Sequence, residues 1–283
     1  MNHRDPTGMY QADVHYGLTY FLALRAGFSD AQARVIATGA ESPDQDPERD
    51  PIKTTVRAIT NAALGLVMHG PRGAQRRGQE GELRGRLRRD HFPRSDGNAG
   101  VVEPFSQESQ QRLMAAMKTG SIVEFGEGLH TLQDSVSHRG KPSLFDMSGH
   151  PSERGGWTSK DTDIPSIYPR EASSAAQATF NYLVAFRNAR GRSASSPSWS
   201  QIEQEVNQFI ALSERGDKKA WLRARGVTMP ETYWDDVSVG PKEWARMNHA
   251  ETVTIPPHKS AIDPKTSAAM ARAQEQCRCA PGF

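Results

Sequence analysis

The segment from residue 121 to residue 139 constrains the fold most, because it carries two stripes of helical period. Apolar residues recur there at intervals of three or four: Ile122, Phe125, Leu129, Leu132 and Val136. This period predicts an amphipathic helix packed on a core. His130, Asp134 and His138 follow one another at four-residue intervals and share a second face. Two imidazoles and a carboxylate there can bind one Zn²⁺ or bridge two, whereas the alternative is a solvated face.

Helical periods elsewhere in the chain predict an all-α fold. We expect further helices over residues 13–26, 30–40, 106–118, 171–189, 200–214, 217–225 and 264–276. Ser29 with Gln32, and Ser200 with Glu203, have the spacing of a capping box at a helix start. Residues 53–69 are apolar and rich in Thr and Ala, so both helix and strand remain open for them.

Three polar segments are predicted as loops. Residues 41–51 are acidic and rich in Pro, and residues 140–170 are rich in Gly, Pro and Asp. Residues 71–100 are rich in Gly and Arg, which indicates a mobile excursion on the surface. Its arginines could bind phosphate groups of a substrate, but a solvated loop is the simpler interpretation.

Composition places few limits on function. The 283 residues can bury a sizeable core, and the net charge of +2 neither requires nor excludes a nucleic-acid partner. No apolar run is long enough for a transmembrane segment, and the polar N-terminus is not a signal peptide. We therefore expect a cytoplasmic protein in the producing cell, or one exported by a specialised secretion system. Cys277 and Cys279 lie in a polar tail and are interpreted as incidental.

Metal-capable side chains outside the 121–139 helix add to its potential site. They are Asp13, His15, Asp44, Asp46, His91 and His150. Catalytic zinc sites use three protein ligands and leave one position for water. The combined set is therefore large enough for two or three zinc ions. We do not expect His249 or His258 to be ligands, because both lie in a polar region without partners at ligand spacing.

These residues, in this order, resemble the zinc-dependent phospholipase C and single-strand-specific zinc nuclease superfamily. The segment GEGLHTLQDSVSH resembles its central helix, and DVHYGLTYFLALRAGFSDAQA resembles the opening of an uncharacterised bacterial branch. The resemblance covers roughly residues 10–190 and implies a multi-helix, phospholipase C-like domain with long loops. The metal ligands that it implies are His15, Asp44, His91, His130, Asp134, His138 and His150, with His69 as the competitor of His91.

The chain departs from that family in three respects. Secreted members use their N-terminal amine as a ligand, but here nine residues precede Tyr10. His138 comes slightly earlier after His130 than the family places this ligand. The family also uses a His-x-x-x-Glu pair for its last metal, whereas the acids nearest after His150 (Glu153, Asp161 and Asp163) do not have this spacing, and which of them would serve is open.

A second resemblance concerns the first ten residues. The sequence RDPTGMY resembles the Asp-Pro-x-Gly boundary that precedes the variable C-terminal effector of Rhs-type polymorphic toxins, although the same residues also form ordinary turns. This resemblance implies an exported antibacterial effector with an immunity or shell protein as partner. The expected organisation is a boundary segment 1–9, a metal-binding core 10–190, and a helical extension 191–283 with a flexible tail.

The function predicted from these observations is zinc-dependent phosphodiester hydrolysis of the phospholipase C type. Asp134 would bridge two metals, and Asp44 would serve as a ligand and as the general base. Gln133 and Ser137 would orient imidazoles. The expected partner is a phospholipid or another phosphodiester, with peripheral membrane contact. The alternatives are a single-strand nuclease, disfavoured because aromatic residues are not concentrated near the motifs, and a non-enzymatic helical interaction module with a structural metal.

Overall fold

The computed structural model describes residues 12–46, 48–94, 100–144, 148–156, 163–191 and 196–234. These residues are mostly helical, so the predicted all-α class is confirmed. A π-helical segment, Asp13–Leu18, leads directly into the first α-helix. The α-helices are α1 (Thr19–Arg25), α2 (Asp30–Gln45), α3 (Pro51–Val67), α4 (Gly70–Asp90), α5 (Gln107–Thr119), α6 (Ile122–Ser137), α7 (Pro169–Ala189), α8 (Trp199–Ile210) and α9 (Arg215–Arg223).

Helix α6 runs through the centre of the fold. Its apolar stripe packs among α2, α5 and α7, and Phe125 stacks on Phe186 with ring centroids 4.0 Å apart. Its second stripe is also buried, with His130 and Asp134 at 0% exposure and His138 at 1%. The alternative of a solvated second face is therefore wrong.

Helices α2 and α6 cross at a pair of glycines. A Cβ atom at Gly126 would collide with the Ile36 carbonyl, and one at Gly39 would press on the Val123 carbonyl. Since no side chains separate the two backbones there, the Ala40 carbonyl lies 2.8 Å from His130 Nδ1. The crossing thus brings the last turns of α2, which carry Asp44, beside the polar stripe of α6.

Helices α3 and α4 form an antiparallel hairpin, which corrects the predicted surface excursion at 71–100. Pro71 lies in the first turn of α4, and the pairs Glu80–Arg84 and Glu82–Arg86 support its exposed side. Leu83 and Leu87 join a small second core at the base of the hairpin, with Ala58, Phe92 and Val102. The loop was predicted from the high Gly content of this segment, without regard to these i to i+4 ion pairs. Residues 95–99 lie outside the described part.

Other boundaries differ from the sequence predictions in smaller ways. Helix α2 continues to Gln45 with Pro43 inside its last turn, so the loop predicted over 41–51 is shorter. Helix α8 begins at Trp199 with a capping box of Ser198 and Gln201, not of Ser200 and Glu203. The loop predicted over 140–170 contains an antiparallel pair, β1 (Pro142–Leu144) and β2 (Ser148–Pro151), followed by a 3-10 turn at Ser152–Arg154. Residues 53–67, for which helix and strand were both open, are helical as part of α3.

The predicted C-terminal extension shares the main core. Trp221 of α9 packs edge-on against Phe21, with centroids 4.9 Å apart, and also contacts Phe209. The buried Lys218 ammonium binds the buried Asp13 carboxylate at the start of the first helical segment. A 3-10 turn at Glu231–Trp234 ends the described chain. The predicted helix 264–276, both cysteines, His249, His258 and residues 1–9 lie outside it.

Within these described ranges, none of the helices combines the length and the apolar content that a membrane span requires.

Candidate metal centre

The structure brings all seven predicted ligands together in two adjacent buried groups. The first contains His15, Asp44, His91, His130 and Asp134, and the second contains His138, His150 and Asp163. They come from the π-helical segment, the last turn of α2, the end of α4, helix α6, strand β2 and the turn before α7. Each set of three that could share an ion has ligand atoms within 4.8 Å of one another.

Asp134 is the centre of the first group. Its Oδ2 atom lies 3.1 Å from His91 Nδ1 and 3.1 Å from His130 Nε2. Its Oδ1 atom lies 3.2 Å from His15 Nε2. The two oxygens therefore face different histidines, which is the arrangement that a carboxylate needs to bridge two ions.

Asp44 approaches the same three histidines from the α2 side. Its oxygens lie 3.6 Å from His91 Nδ1, 3.7 Å from His130 Nε2 and 3.8 Å from His15 Nε2. Two ligands of a tetrahedral zinc ion lie about 3.3 Å apart, given metal–ligand bonds near 2.0–2.1 Å. The spacings in the first group bracket this value, so the ligand atoms are spaced as zinc ligands are.

The outer nitrogens of four histidines donate hydrogen bonds to carbonyl oxygens. His130 Nδ1 donates to the Ala40 carbonyl at 2.8 Å, and His91 Nε2 donates to the Arg49 carbonyl at 3.1 Å. His138 Nδ1 donates to the His91 carbonyl at 3.0 Å. A carbonyl can only accept, so these nitrogens carry the protons, and in the neutral rings the inner nitrogens present lone pairs.

The fourth histidine, His15, is oriented by a side-chain amide. His15 Nδ1 donates to Gln133 Oε1 at 2.7 Å. The Gln133 amide nitrogen donates to the hydroxyls of Thr19 and Thr179, at 2.9 and 3.1 Å, which fixes the orientation of the amide. In a neutral ring the inner nitrogen is an acceptor that faces carboxylate oxygens, and two acceptors that meet in this way need either a proton or a metal cation between them.

The charges of the first group favour such a cation. Burial is the largest influence on the pKa of His130 and lowers it to about 3, so this ring stays neutral and able to bind a metal. Burial would raise the pKa of Asp134, but His130 and His138 hold it well below its ordinary range. Burial also opposes protonation of His15, yet Asp134 and Glu41 raise its pKa.

The second group lies beyond the end of α6. His150 Nε2 is 3.0 Å from Asp163 Oδ2, and His138 Nε2 is 3.7 Å from Asp163 Oδ1. Burial opposes protonation of His138, but Asp134 and Asp163 outweigh it and raise its pKa to about 9. Phe92 stacks on the His138 ring at 4.8 Å and covers it. Of the three candidate carboxylates, Asp163 is the one placed here; the Glu153 side chain and Asp161 lie outside the described residues.

Four other residues that the sequence offered as ligands or as partners of ligands do not take those roles in the structure. His69 caps the start of α4 and is exposed, so it does not join His91 in the first group. Asp13 binds Lys218, and Asp46 accepts from the Glu48 amide, so neither belongs to the groups. Ser137 does not orient an imidazole: its hydroxyl donates to the Asp134 carbonyl at 3.5 Å.

A partly buried ion network behind His91 had no signal in the sequence. Arg49, whose carbonyl accepts from His91, binds Asp90 at 3.1 Å and Glu127 at 2.8 Å. Arg112 binds the same two carboxylates. Burial would raise the pKa of Asp90, but Arg49 and Arg112 hold it well below its ordinary range. The network thereby fixes the loop after α2 against the residue that precedes His91.

The comparisons with known proteins give one match. Residues 10–75 match the model of a family of unknown function, DUF6765. This span contains His15 and Asp44 and the hairpin up to the first turn of α4, but not helix α6. No curated protein and no solved structure matches the chain.

Proposed function

We propose that this protein is a zinc-dependent phosphodiester hydrolase of the phospholipase C type. The observation that carries the proposal is the pair of buried His/Asp groups, in which oriented imidazole nitrogens face carboxylate oxygens across distances suited to zinc. Nitrogen and carboxylate ligands in such sites are typical of zinc.

The ligand set supports two or three ions. His130 Nδ1 is committed to the Ala40 carbonyl, so this ring can bind a single ion through Nε2. With His91 and Asp134 it would hold one ion, while His15 and Asp44 would hold a second with a share in Asp134. The second group would hold a separate ion through His138, His150 and Asp163.

Zinc bound at such ligands would lower the pKa of water and offset negative charge on a phosphate ester. Two carboxylates of the chain have different roles in this proposal. Asp134 is fully buried and holds the ligands in register, whereas Asp44 is 7% exposed and is the carboxylate nearer to solvent. Asp44 is therefore the group proposed to accept the proton of the attacking water.

The number of ligands in the second group argues for catalysis over a purely structural metal. Structural zinc sites are closed by four protein ligands, whereas catalytic sites keep one position for water or substrate. Among the described residues, this group offers three ligands: His138, His150 and Asp163. A non-enzymatic interaction module would not need that open position.

The test combines metal analysis with three substrates. Protein purified without chelator is expected to contain at least two zinc ions per chain and to hydrolyse a soluble aryl phosphodiester in a chelator-sensitive reaction. Phospholipid vesicles and single-stranded DNA are then compared as substrates, with release of phosphorylated headgroups expected from the vesicles. Cleavage of DNA with intact lipid would assign the nuclease function instead. Metal-loaded protein that turns over neither would assign the interaction module.

Export as an antibacterial effector belongs to the same proposal. Its support is the RDPTGMY boundary, which lies outside the described residues, and headgroup release would explain damage to a neighbouring cell. Expression directed to the periplasm of a test bacterium should then be toxic for the wild type and harmless for Asp134→Asn. Equal growth of both strains would remove the effector hypothesis and leave the hydrolase intact.

A further inference from the structure

The α3–α4 hairpin carries most of the exposed large hydrophobic side chains of the described chain. Val56, Leu66 and Val67 are 58%, 78% and 76% exposed, and Met68 is 36% exposed. Ile167 is the only other residue of this kind in the described part. Exposed apolar side chains concentrated on one element mark a contact surface more often than chance.

These side chains belong to a face of α3 that is uncharged from Val56 to Val67. Val56, Thr60, Ala63 and Val67 follow at helical spacing, so they share a face, and all four are exposed. Leu66 extends this face at the tip of the hairpin. The opposite side of α3 packs on α4, where a Cβ atom at Gly65 would press on the Arg77 side chain.

The tip around this face is cationic. Residues 51–79 contain no acidic residue. Lys53 and Arg57, near the base, pair with Asp50 and Glu48. Towards the tip, Arg76 donates to the Asn61 side chain and Arg77 to the Gly65 carbonyl, so both of these hydrogen bonds go to neutral acceptors. Arg72 adds another exposed guanidinium.

We propose that this face and tip form a docking surface for an anionic phospholipid bilayer. Exposed aliphatic side chains combined with basic side chains are the means by which amphipathic helices lie in a charged membrane interface, and one hairpin carries both here. A nucleic acid would use the arginines but gains nothing from exposed Leu66 and Val67. The charge complementarity with anionic headgroups and the apolar face therefore favour the same occupant.

The hairpin is connected to the candidate metal centre both along the chain and by a hydrogen bond at its base. In the chain it separates Asp44 from His91, and α3 has 17 residues, which corresponds to about 25 Å of helix. At its base, the Thr55 hydroxyl donates to the Ser148 hydroxyl at 2.8 Å, two residues before His150. The docking surface goes beyond the proposed hydrolase, and only the view that docked lipid is also the substrate rests on that proposal.

Sedimentation with vesicles tests the surface. The wild type is expected to bind vesicles of equal parts phosphatidylglycerol and phosphatidylcholine, and to bind pure phosphatidylcholine more weakly. The double variant Leu66→Ser/Val67→Ser should bind the anionic vesicles at least about tenfold more weakly. Arg72→Gln should weaken binding about fivefold. Ile167→Ser is the matched control, an exposed apolar residue outside the hairpin, and should bind as the wild type does.

Three results would overturn the docking surface. One is no wild-type binding to the anionic vesicles, and another is equal binding by the double variant, with circular dichroism showing that it is folded. The third is a dimer of the wild type that the double variant loses, which would make a second copy the occupant. Vesicle binding without hydrolysis of any diester would instead overturn the proposed function and leave this surface standing. Hydrolysis of the soluble diester without vesicle binding would overturn the docking surface and leave the proposed function standing.

Discussion

Helices α6 and α4 are both rich in polar residues and glycine, yet they occupy opposite environments. In α6, Gly126 and Gly128 allow close contact with α2 and α5, and the polar side chains are buried against carbonyls and carboxylates. In α4, Cβ atoms at Gly78, Gly81 and Gly85 would meet nothing within 4 Å, and charged side chains pair along the exposed surface. The same residue types therefore stabilise one helix through tertiary contact and the other through local pairs.

The largest effect should come from removing the shared carboxylate of α6. Asp134→Asn keeps the shape of the side chain but removes the charge that holds His15, His91 and His130 around a cation. We expect loss of at least one zinc ion per chain and a decrease of more than about hundredfold in diester hydrolysis. Elemental analysis and kinetics measure both.

Asp217→Asn is the control for this variant, because Asp217 is an exposed aspartate in the first turn of α9. It should match the wild type in metal content and rate. Equal zinc content in Asp134→Asn and the wild type would show that Asp134 holds no ion.

A smaller effect is expected from the amide that orients His15. Gln133→Leu removes the acceptor of the His15 Nδ1 proton and leaves the Thr19 and Thr179 hydroxyls without its donor. Such outer contacts are worth about 10–100-fold in metal affinity. Zinc titration against a competing chelator measures the loss, and Gln79→Leu on the exposed side of α4 should leave the affinity unchanged. If both variants bind zinc alike, His15 is not a ligand.

The comparison of glycines can be tested on folding stability. Gly126→Ala places a methyl group against the Ile36 carbonyl and should lower the free energy of unfolding by about 1–3 kcal/mol. It should also weaken zinc binding, because the α2–α6 crossing positions Asp44 and the Ala40 carbonyl. Chemical denaturation with the metal present measures the change. Unchanged stability would mean that the two helices do not cross as closely as described.

The smallest effect is expected from the matching substitution in α4. Gly81→Ala fills open space and lowers the entropy of the unfolded chain, so it should raise the free energy of unfolding by about 0.5–1 kcal/mol. Metal content and hydrolysis should not change. Destabilisation by Gly81→Ala would argue against a helix at this position and restore the surface excursion that the composition of this segment indicated.

Local sequence was sufficient for elements whose signals lie within a few residues. The stripe of α6 and the Ser29–Gln32 capping box of α2 were correctly placed. Local sequence gave wrong predictions where the amino-acid composition of a segment and the spacing of its side-chain pairs indicated different structures. In α4, frequent glycine outweighed the i to i+4 ion pairs and the Leu83–Leu87 spacing, while Ser198 rather than Ser200 provided the cap of α8.

The sequence by itself determined the helical class and the order of the metal-capable side chains, since both depend on residue type and spacing. It placed His130 and Asp134 on one face because helical periodicity is local. Only the tertiary structure decided that His91 rather than His69 joins them, and that Asp163 lies beside His138 and His150. Only the tertiary structure supplied the carbonyls of Ala40, Arg49 and His91, because every residue has a carbonyl and the sequence carries no mark of which one a distant histidine will meet.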